Sequence, residues 1–322
     1  MTRTLVMLAE PGVPIEEWAA AVSAAAPQLR VVIAPDRVSA CELLPGADAA
    51  FGTLDAQLLA HAPRLAWLQA PHAAPAAGYF FPELVAHPVQ VTNFRGIYND
   101  HVALHAVAML LALARGLPRY MRQQQRREWI RHLADEDILH LPESTVLVVG
   151  VGGIGGEIAR MVRALGANVV GIDPRRTEPC EGMEAIFPPE QLDALLPLAN
   201  AVVLTLPHTP ESEGLIDQRR LALLRPHALL LNVGRGATVR LDPLAAALRE
   251  GRLGGAALDV FEQEPLPPEH PLWAEPRALL TPHVAVVGPY IVGRRLAVLC
   301  DNARRFAAGD PLRNLVDKAL WY

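Results

Sequence analysis

Short apolar runs alternate with amphipathic stretches along nearly the whole chain. Strand-length apolar runs fall at residues 5–8, 29–33, 49–52, 65–69 and 89–92, with helical stretches such as 15–26 and 55–60 between them. Pro14 and Pro27 stand at the two ends of the first helical stretch, where proline is tolerated. A long stretch, 100–114, then carries Val102, Leu104, Val107, Met109, Leu110 and Leu113 and is apolar on most faces. A helix of that kind is central to a core or partly covered by a second subunit. A second series of runs follows at 146–149, 169–172, 201–206, 228–233, 256–260 and 279–280. Near-continuous apolar runs of this length are what parallel strands covered on both faces look like. After Pro289 the pattern is helical again to about Ala308, in a tail too small to fold alone. The expected fold is therefore α/β, with two doubly wound parallel-sheet lobes and the tail returning to the first.

The link between the first two runs of the second series is the most specific part of the chain. Gly150, Gly152 and Gly155 have GxGxxG spacing between an apolar run and a helical stretch that reaches Leu165. Dinucleotide pyrophosphate needs this form. The first glycine permits a tight turn, the second lets backbone approach phosphate, and the third lets helix pack close to strand. Free N–H groups of the helix's first turn then face the anion. Gly166 is placed as a C-cap, and the next run ends on Asp173, at the distance expected of the carboxylate that holds ribose hydroxyls.

Composition narrows the chemistry. The 322 residues, 51% hydrophobic and 20% charged, suit two globular domains. The net charge of -5 comes without a basic block, which argues against nucleic acid as partner. No run of eighteen apolar residues exists to span a membrane, and the N-terminal run lacks a small-residue cleavage site. Cys41, Cys180 and Cys300 are odd in number and widely spaced, which fits a reducing cytoplasm better than a disulfide framework. Lys318 is the sole lysine, so the glycine loop has no Walker-type lysine. His101 and His105 stand four apart on a helical stretch, but no glutamate follows His101 and no cysteine cluster accompanies them; no metal is expected.

Three further fragments follow strand ends. Asn232-Val-Gly-Arg-Gly236 places Arg235 between two glycines, where a planar guanidinium can grip a carboxylate by two parallel hydrogen bonds. Asp259-Val-Phe-Glu-Gln-Glu264 brings Glu262 and Glu264, and Thr281-Pro-His283 brings an imidazole suited to proton transfer near neutrality. Together they suit hydride transfer to a keto acid. Arg235 would anchor the carboxylate and polarise the carbonyl, His283 would protonate the oxygen, and Glu264 would bind the other imidazole nitrogen.

These motifs, with Leu206-Pro-His-Thr-Pro-Glu211, occur in the order seen in the D-isomer-specific 2-hydroxyacid dehydrogenases, which the chain resembles over essentially its whole length. The resemblance implies that Arg235, Glu264 and His283 are catalytic. It implies a cofactor set of Gly150, Gly152, Gly153, Ile154, Gly155, Asp173, Leu206, Pro207, Val233 and Asp259. It also implies a Rossmann cofactor domain, 93–285, inserted in a flavodoxin-like substrate domain, 1–92 plus 286–322, and a homodimer. The substrate loop corresponds to residues 69–78, where alanines and prolines replace the family's glycines. Pro71 and Pro75 lack an N–H, leaving His72, Ala73 and Ala74 beside Arg235 as candidate substrate contacts. Two further departures are Arg240-Leu241, where an acidic pair is common, and Val284-Ala285 after the histidine.

Cofactor cues conflict. Asp173 at the strand end favours NAD, whereas Arg175 and Arg176 just beyond it could grip the extra phosphate of NADP. Position favours NAD(H), with NADP(H) possible. The expected reaction is hydride transfer between NAD(H) and a small 2-keto or 2-hydroxy acid, glyoxylate- or hydroxypyruvate-like. The alternatives are a cousin acting on another oxyanion, such as phosphite or formate, and a non-catalytic NAD-sensing scaffold of corepressor type.

Overall fold

The computed structural model describes residues 2–73, 78–131 and 138–319. The chain divides into two compact units, Met1–Ile97 with Gly288–Tyr322, and Tyr98–Val287.

The first unit opens with β1 (Arg3–Leu8), α1 (Ile15–Ala25), β2 (Leu29–Ala34), α2 (Arg37–Leu43) and β3 (Ala49–Phe51). It continues with α3 (Ala56–Ala60), β4 (Trp67–Gln69), α4 (Pro82–Ala86) and β5 (Gln90–Thr92). The strands form one parallel sheet in the order β2-β1-β3-β4-β5, the flavodoxin-like order. Leu5, Val6 and Met7 of β1 are wholly buried, as a central strand covered on both faces requires. Two of the short helices start on a side-chain cap: Asp36 accepts from the Ser39 N–H, and Asp55 from the Leu58 N–H.

The second unit begins with α5 (Asn99–Ala114) and α6 (Leu117–Arg126). There follow β6 (Thr145–Val149), α7 (Gly153–Ala164), β7 (Asn168–Ile172), β8 (Ala185–Phe187), α8 (Leu192–Leu195) and β9 (Ala201–Leu204). The series ends with α9 (Gln218–Leu221), β10 (Leu229–Asn232), α10 (Leu241–Arg249), β11 (Gly255–Leu258) and β12 (Ala278–Leu280). All seven strands are parallel, in the order β12-β11-β10-β9-β6-β7-β8. The connections reverse direction between β6 and β9, which makes a crevice at the carboxyl ends of those strands. Helix α5 buries Val102, Ala106, Val107, Leu110 and Leu113 within this unit, yet Leu104 stays 62% exposed.

The chain then returns to the first unit through α11 (Ile291–Ala308). Asn302 of α11 is fully buried and donates to the Gln69 side chain, which in turn accepts from Thr92. The Thr92 hydroxyl also accepts from the Trp67 indole, so β4, β5 and α11 share one satisfied polar network.

Several strands end sooner than their apolar runs. Run 201–206 forms strand only to Leu204, and just beyond it the Thr205 hydroxyl donates to the Gly150 carbonyl at 2.6 Å. Strand β8 falls outside the expected runs. It is a three-residue edge strand, half-buried throughout, and too short to show a pattern.

The helix–strand approach at the crevice depends on Gly155. A Cβ there would strike the Gly150 carbonyl oxygen and lie 3.0 Å from the Thr205 hydroxyl. Gly155→Ala should therefore lower stability by about 2–3 kcal/mol, read as a shift in the urea unfolding midpoint. An unchanged midpoint would show that α7 can shift off β6 at no cost.

Candidate active site

The crevice begins at Gly150, where φ is +96°, a conformation open to glycine and disfavoured for other residues. Its missing side chain also leaves room for Leu206, whose Cδ2 would lie 3.1 Å from a Cβ at position 150. Gly234 makes a similar concession, since its Cβ would meet the Leu206 backbone at 2.7–2.9 Å. Leu206 is thus gripped between the loops that follow β6 and β10, with Pro207 exposed beside it and Val233 buried next to Gly234. Helix α7 starts at Gly153, whose Cα is overlain by the Asn99 side chain, and Ile154 packs on the buried core beneath. At Gly152, by contrast, a Cβ would meet no protein atom within 4 Å. This bare backbone at a helix N-terminus fits a pyrophosphate.

A cavity of about 600 Å³ continues from this point, lined by Gly152, Gly153, Glu157, Asp173, Arg175 and Arg176. The Asp173 carboxylate is held at its edge by three backbone donors. One oxygen accepts from the Val151 N–H, and the other from the N–H groups of Arg175 and Arg176, each at 2.9 Å. A carboxylate has about four acceptor positions, so capacity remains for a hydroxyl.

Across the strand ends, Asn232 shapes the arginine loop. Its side chain accepts from the Gly234 N–H and donates to the Arg235 carbonyl. A Cβ at Gly236 would overlap the Phe261 backbone, so the arginine loop lies flush on the loop that carries Glu264. Arg235 is half-buried, with Nη1 donating to the Gly234 carbonyl at 2.7 Å. Burial lowers its pKa and the Glu264 charge opposes that shift; a guanidinium remains a cation at neutral pH.

The two glutamates of the next loop part company. Glu262 accepts from the Leu241 N–H at 2.6 Å and from Arg240 at 3.0 Å. It caps α10 from a distant point in the chain, which accounts for Arg240-Leu241 at a helix start lacking its own cap. Glu264 instead takes the His283 Nδ1 at 2.7 Å and the Phe261 N–H at 3.0 Å. His283 is exposed and adopts φ +53°, a left-handed conformation uncommon for a non-glycine residue. Asp259 holds it there. Its carbonyl accepts from the His283 N–H, while its buried carboxylate accepts from the Val284 N–H, the Ala285 N–H and the Thr281 hydroxyl. The Thr281 hydroxyl also meets His105 Nε2 at 3.0 Å, so His105 belongs to this network of the second unit.

The second unit therefore gathers the glycine loop, Asp173, Leu206, Pro207, Val233, Arg235, Asp259, Glu264 and His283 at the carboxyl ends of its strands. His72 and Ala73 lie after β4 in the first unit, and Ala74 lies outside the described residues. Among the described residues no group of three or more His, Cys, Asp or Glu side chains is placed to hold a metal. Sequence reasoning missed Thr205, Thr281 and the pairing of Arg240 with Glu262. Only the asparagine opening Asn232-Val-Gly-Arg offered a local signal for a loop-shaping residue.

Known proteins resemble this chain in sequence and fold. Residues 107–285 match the family model for the D-isomer specific 2-hydroxyacid dehydrogenase, NAD binding domain. Glyoxylate/hydroxypyruvate reductase A of Serratia proteamaculans is 34% identical over 219 residues, covering 68% of this chain and 67% of that protein. Glyoxylate reductase of Korarchaeum cryptofilum is 31% identical across 91% of this chain and 87% of its own. The crystal structure of an NADPH-dependent glyoxylate/hydroxypyruvate reductase from Sinorhizobium meliloti, in complex with NADP and sulfate, superposes with a TM-score of 0.82 at 28% identity, covering 100% of both chains. With a family model spanning more than half its length and relatives matching nearly all of it, this chain belongs to the D-isomer specific 2-hydroxyacid dehydrogenase family.

Proposed function

We propose that this NAD(P)-dependent 2-hydroxyacid oxidoreductase reduces small 2-keto acids of the glyoxylate and hydroxypyruvate class to D-2-hydroxy acids. The observation that carries the reading is the His283–Glu264 pair at 2.7 Å, on loops that adjoin Arg235 and that Asp259 fixes. When bound, the reduced nicotinamide supplies the hydride. Arg235 presents a forked cation to the substrate carboxylate and carbonyl. Glu264 engages Nδ1 of His283, leaving Nε2 to deliver the proton to the carbonyl oxygen. His72, Ala73 and Ala74 are assigned to the substrate carboxylate, and Asp259, besides holding its loop, to the nicotinamide carboxamide.

NAD(H) is the preferred cofactor in this reading. The negative charge of Asp173, held by three N–H groups at the cavity edge, repels a 2′-phosphate, while Arg175 and Arg176 lining the same cavity keep NADP(H) usable.

A homodimer and a cytoplasmic location complete the proposal. Leu104, Met121 and Trp129 are 62%, 61% and 91% exposed on the α5–α6 stretch and just beyond it, more apolar surface than a lone subunit needs to show there. Cys41, Cys180 and Cys300 are free thiols, and no single helix among the described residues is long and apolar enough to cross a membrane.

Three sets of measurements test these points, the first on substrate chemistry. His283→Ala should bind NADH nearly as wild type does and lose at least about a hundredfold in kcat for glyoxylate. Arg235→Lys should lose kcat/KM for keto acids with NADH affinity kept. Wild-type oxidation of phosphite or formate, with 2-keto acids inert, would overturn the substrate class, and inertness toward all would leave a nucleotide-binding scaffold. Second, Asp173→Asn keeps an acceptor oxygen and removes the charge, so the ratio of kcat/KM for NADH over NADPH should fall by about tenfold or more. A wild-type preference for NADPH would assign the choice to the arginines. Third, light scattering in solution should give twice the mass of the 34.8 kDa chain; a monomer at micromolar concentration would refute the dimer.

A further inference from the structure

Arg295, on the first half of α11, makes a set of contacts that the proposed reaction leaves unexplained. Its guanidinium carbon lies 5.2 Å from the ring centroid of Trp18 and 5.2 Å from that of Phe94. Both rings are essentially fully buried, and they meet each other edge-on at 6.4 Å. A planar cation against two buried rings is held in one orientation, which an ammonium on a flexible stem would not be. From there Nη2 donates to the carbonyl of Pro71 at 2.6 Å, a charge-assisted hydrogen bond of short length. Among the described residues the buried Nε has no hydrogen-bond partner, so the side chain is seated by its rings and by the Pro71 carbonyl.

Pro71 is the second residue beyond β4, and the end of β4 is itself fixed by the same helix. Asn302, seven residues after Arg295 and so two turns along the same face, donates to Gln69. Helix α11 thereby grips the start of the substrate loop twice, once at Gln69 and once at Pro71. Next in line is His72, exposed at the surface yet held below the ordinary histidine range, first by desolvation and then by the Arg295 charge, with Glu10 opposing.

We propose that Arg295 is a positioning residue that fixes segment 71–73 for binding of the keto-acid carboxylate. The assignment rests on the substrate role given to that segment above. Arg295 sets the direction of the chain at a proline that has no N–H of its own to anchor it. In a loop where alanines and prolines replace glycines, a guanidinium holds the carbonyl of Pro71.

The test uses Arg295→Met and Arg295→Lys with three readouts: amide hydrogen exchange, the NMR titration of His72, and steady-state kinetics with glyoxylate. In Arg295→Met, exchange at His72 and Ala73 should accelerate while α11 keeps its protection, and His72 should titrate at higher pH. KM for glyoxylate should rise about tenfold with kcat changed by less than about threefold and NADH affinity unchanged. Arg295→Lys keeps the charge but not the stacked fork, so His72 should titrate nearly as in wild type while exchange and KM still rise. Unchanged exchange at residues 72 and 73 in Arg295→Met would overturn the proposal, as would loss of protection throughout α11, which marks a core residue. Faster exchange with KM unmoved would overturn the link to substrate. Should the wild-type enzyme reduce no 2-keto acid, the functional reading falls, while exchange and titration still decide whether Arg295 holds the segment.

Discussion

A carboxylate removed from water is tolerated only where its lone pairs are met, and Asp259, 1% exposed, is such a group. The partners that satisfy it are the Thr281 hydroxyl and the N–H groups of Val284 and Ala285. Those bonds dictate the path of the chain on both sides of position 283 and bring the His283 N–H onto the Asp259 carbonyl. A left-handed histidine is strained on its own, and here the surrounding bonds over-determine it. The geometry of His283 is therefore inherited from a buried carboxylate at the end of β11, three strands away from the β6 end that leads into the glycine loop.

The other recurring constraint is crowding. The loops after β6, β9, β10 and β11 all emerge at one edge of the sheet, and they fit only because Gly150, Gly155, Gly234 and Gly236 carry no Cβ. The crowding is useful. It sets Arg235 directly against the glutamate loop, and it lets Glu262 cap α10 across more than twenty residues of sequence. Of two glutamates two positions apart, one supports the scaffold and the other serves the imidazole.

Most of this was legible in sequence wherever a period or a local motif carried it. Runs such as 146–149 and 169–172 announced strands because both faces are buried, and the glycine spacing announced the turn between them. Arg235, Glu264 and His283 were legible as residues at strand ends. The task of Glu262 was not, because it depends on Arg240 and Leu241 from another element. Helix α2, seven residues long, is too short to show a period, and its one local signal is the Asp36 cap three residues before Ser39. Arg295 left no trace at all, since its rings come from Trp18 and Phe94, hundreds of positions away. Long-range side-chain contacts have no period to betray them.

The three N–H groups on Asp173 bear on how such an enzyme can change over evolutionary time. Its carboxylate ties the glycine loop, through Val151, to the turn at Arg175 and Arg176. A lineage that discarded the aspartate would, on the proposed reading of Asp173, alter cofactor selectivity, and it would release the glycine loop from that turn in the same mutational step. Arg175 and Arg176 hold the aspartate through their backbone N–H groups, which any residue but proline supplies. On that reading, drift between the two dinucleotides is channelled through the arginines, and the acid is the more entrenched of the neighbours.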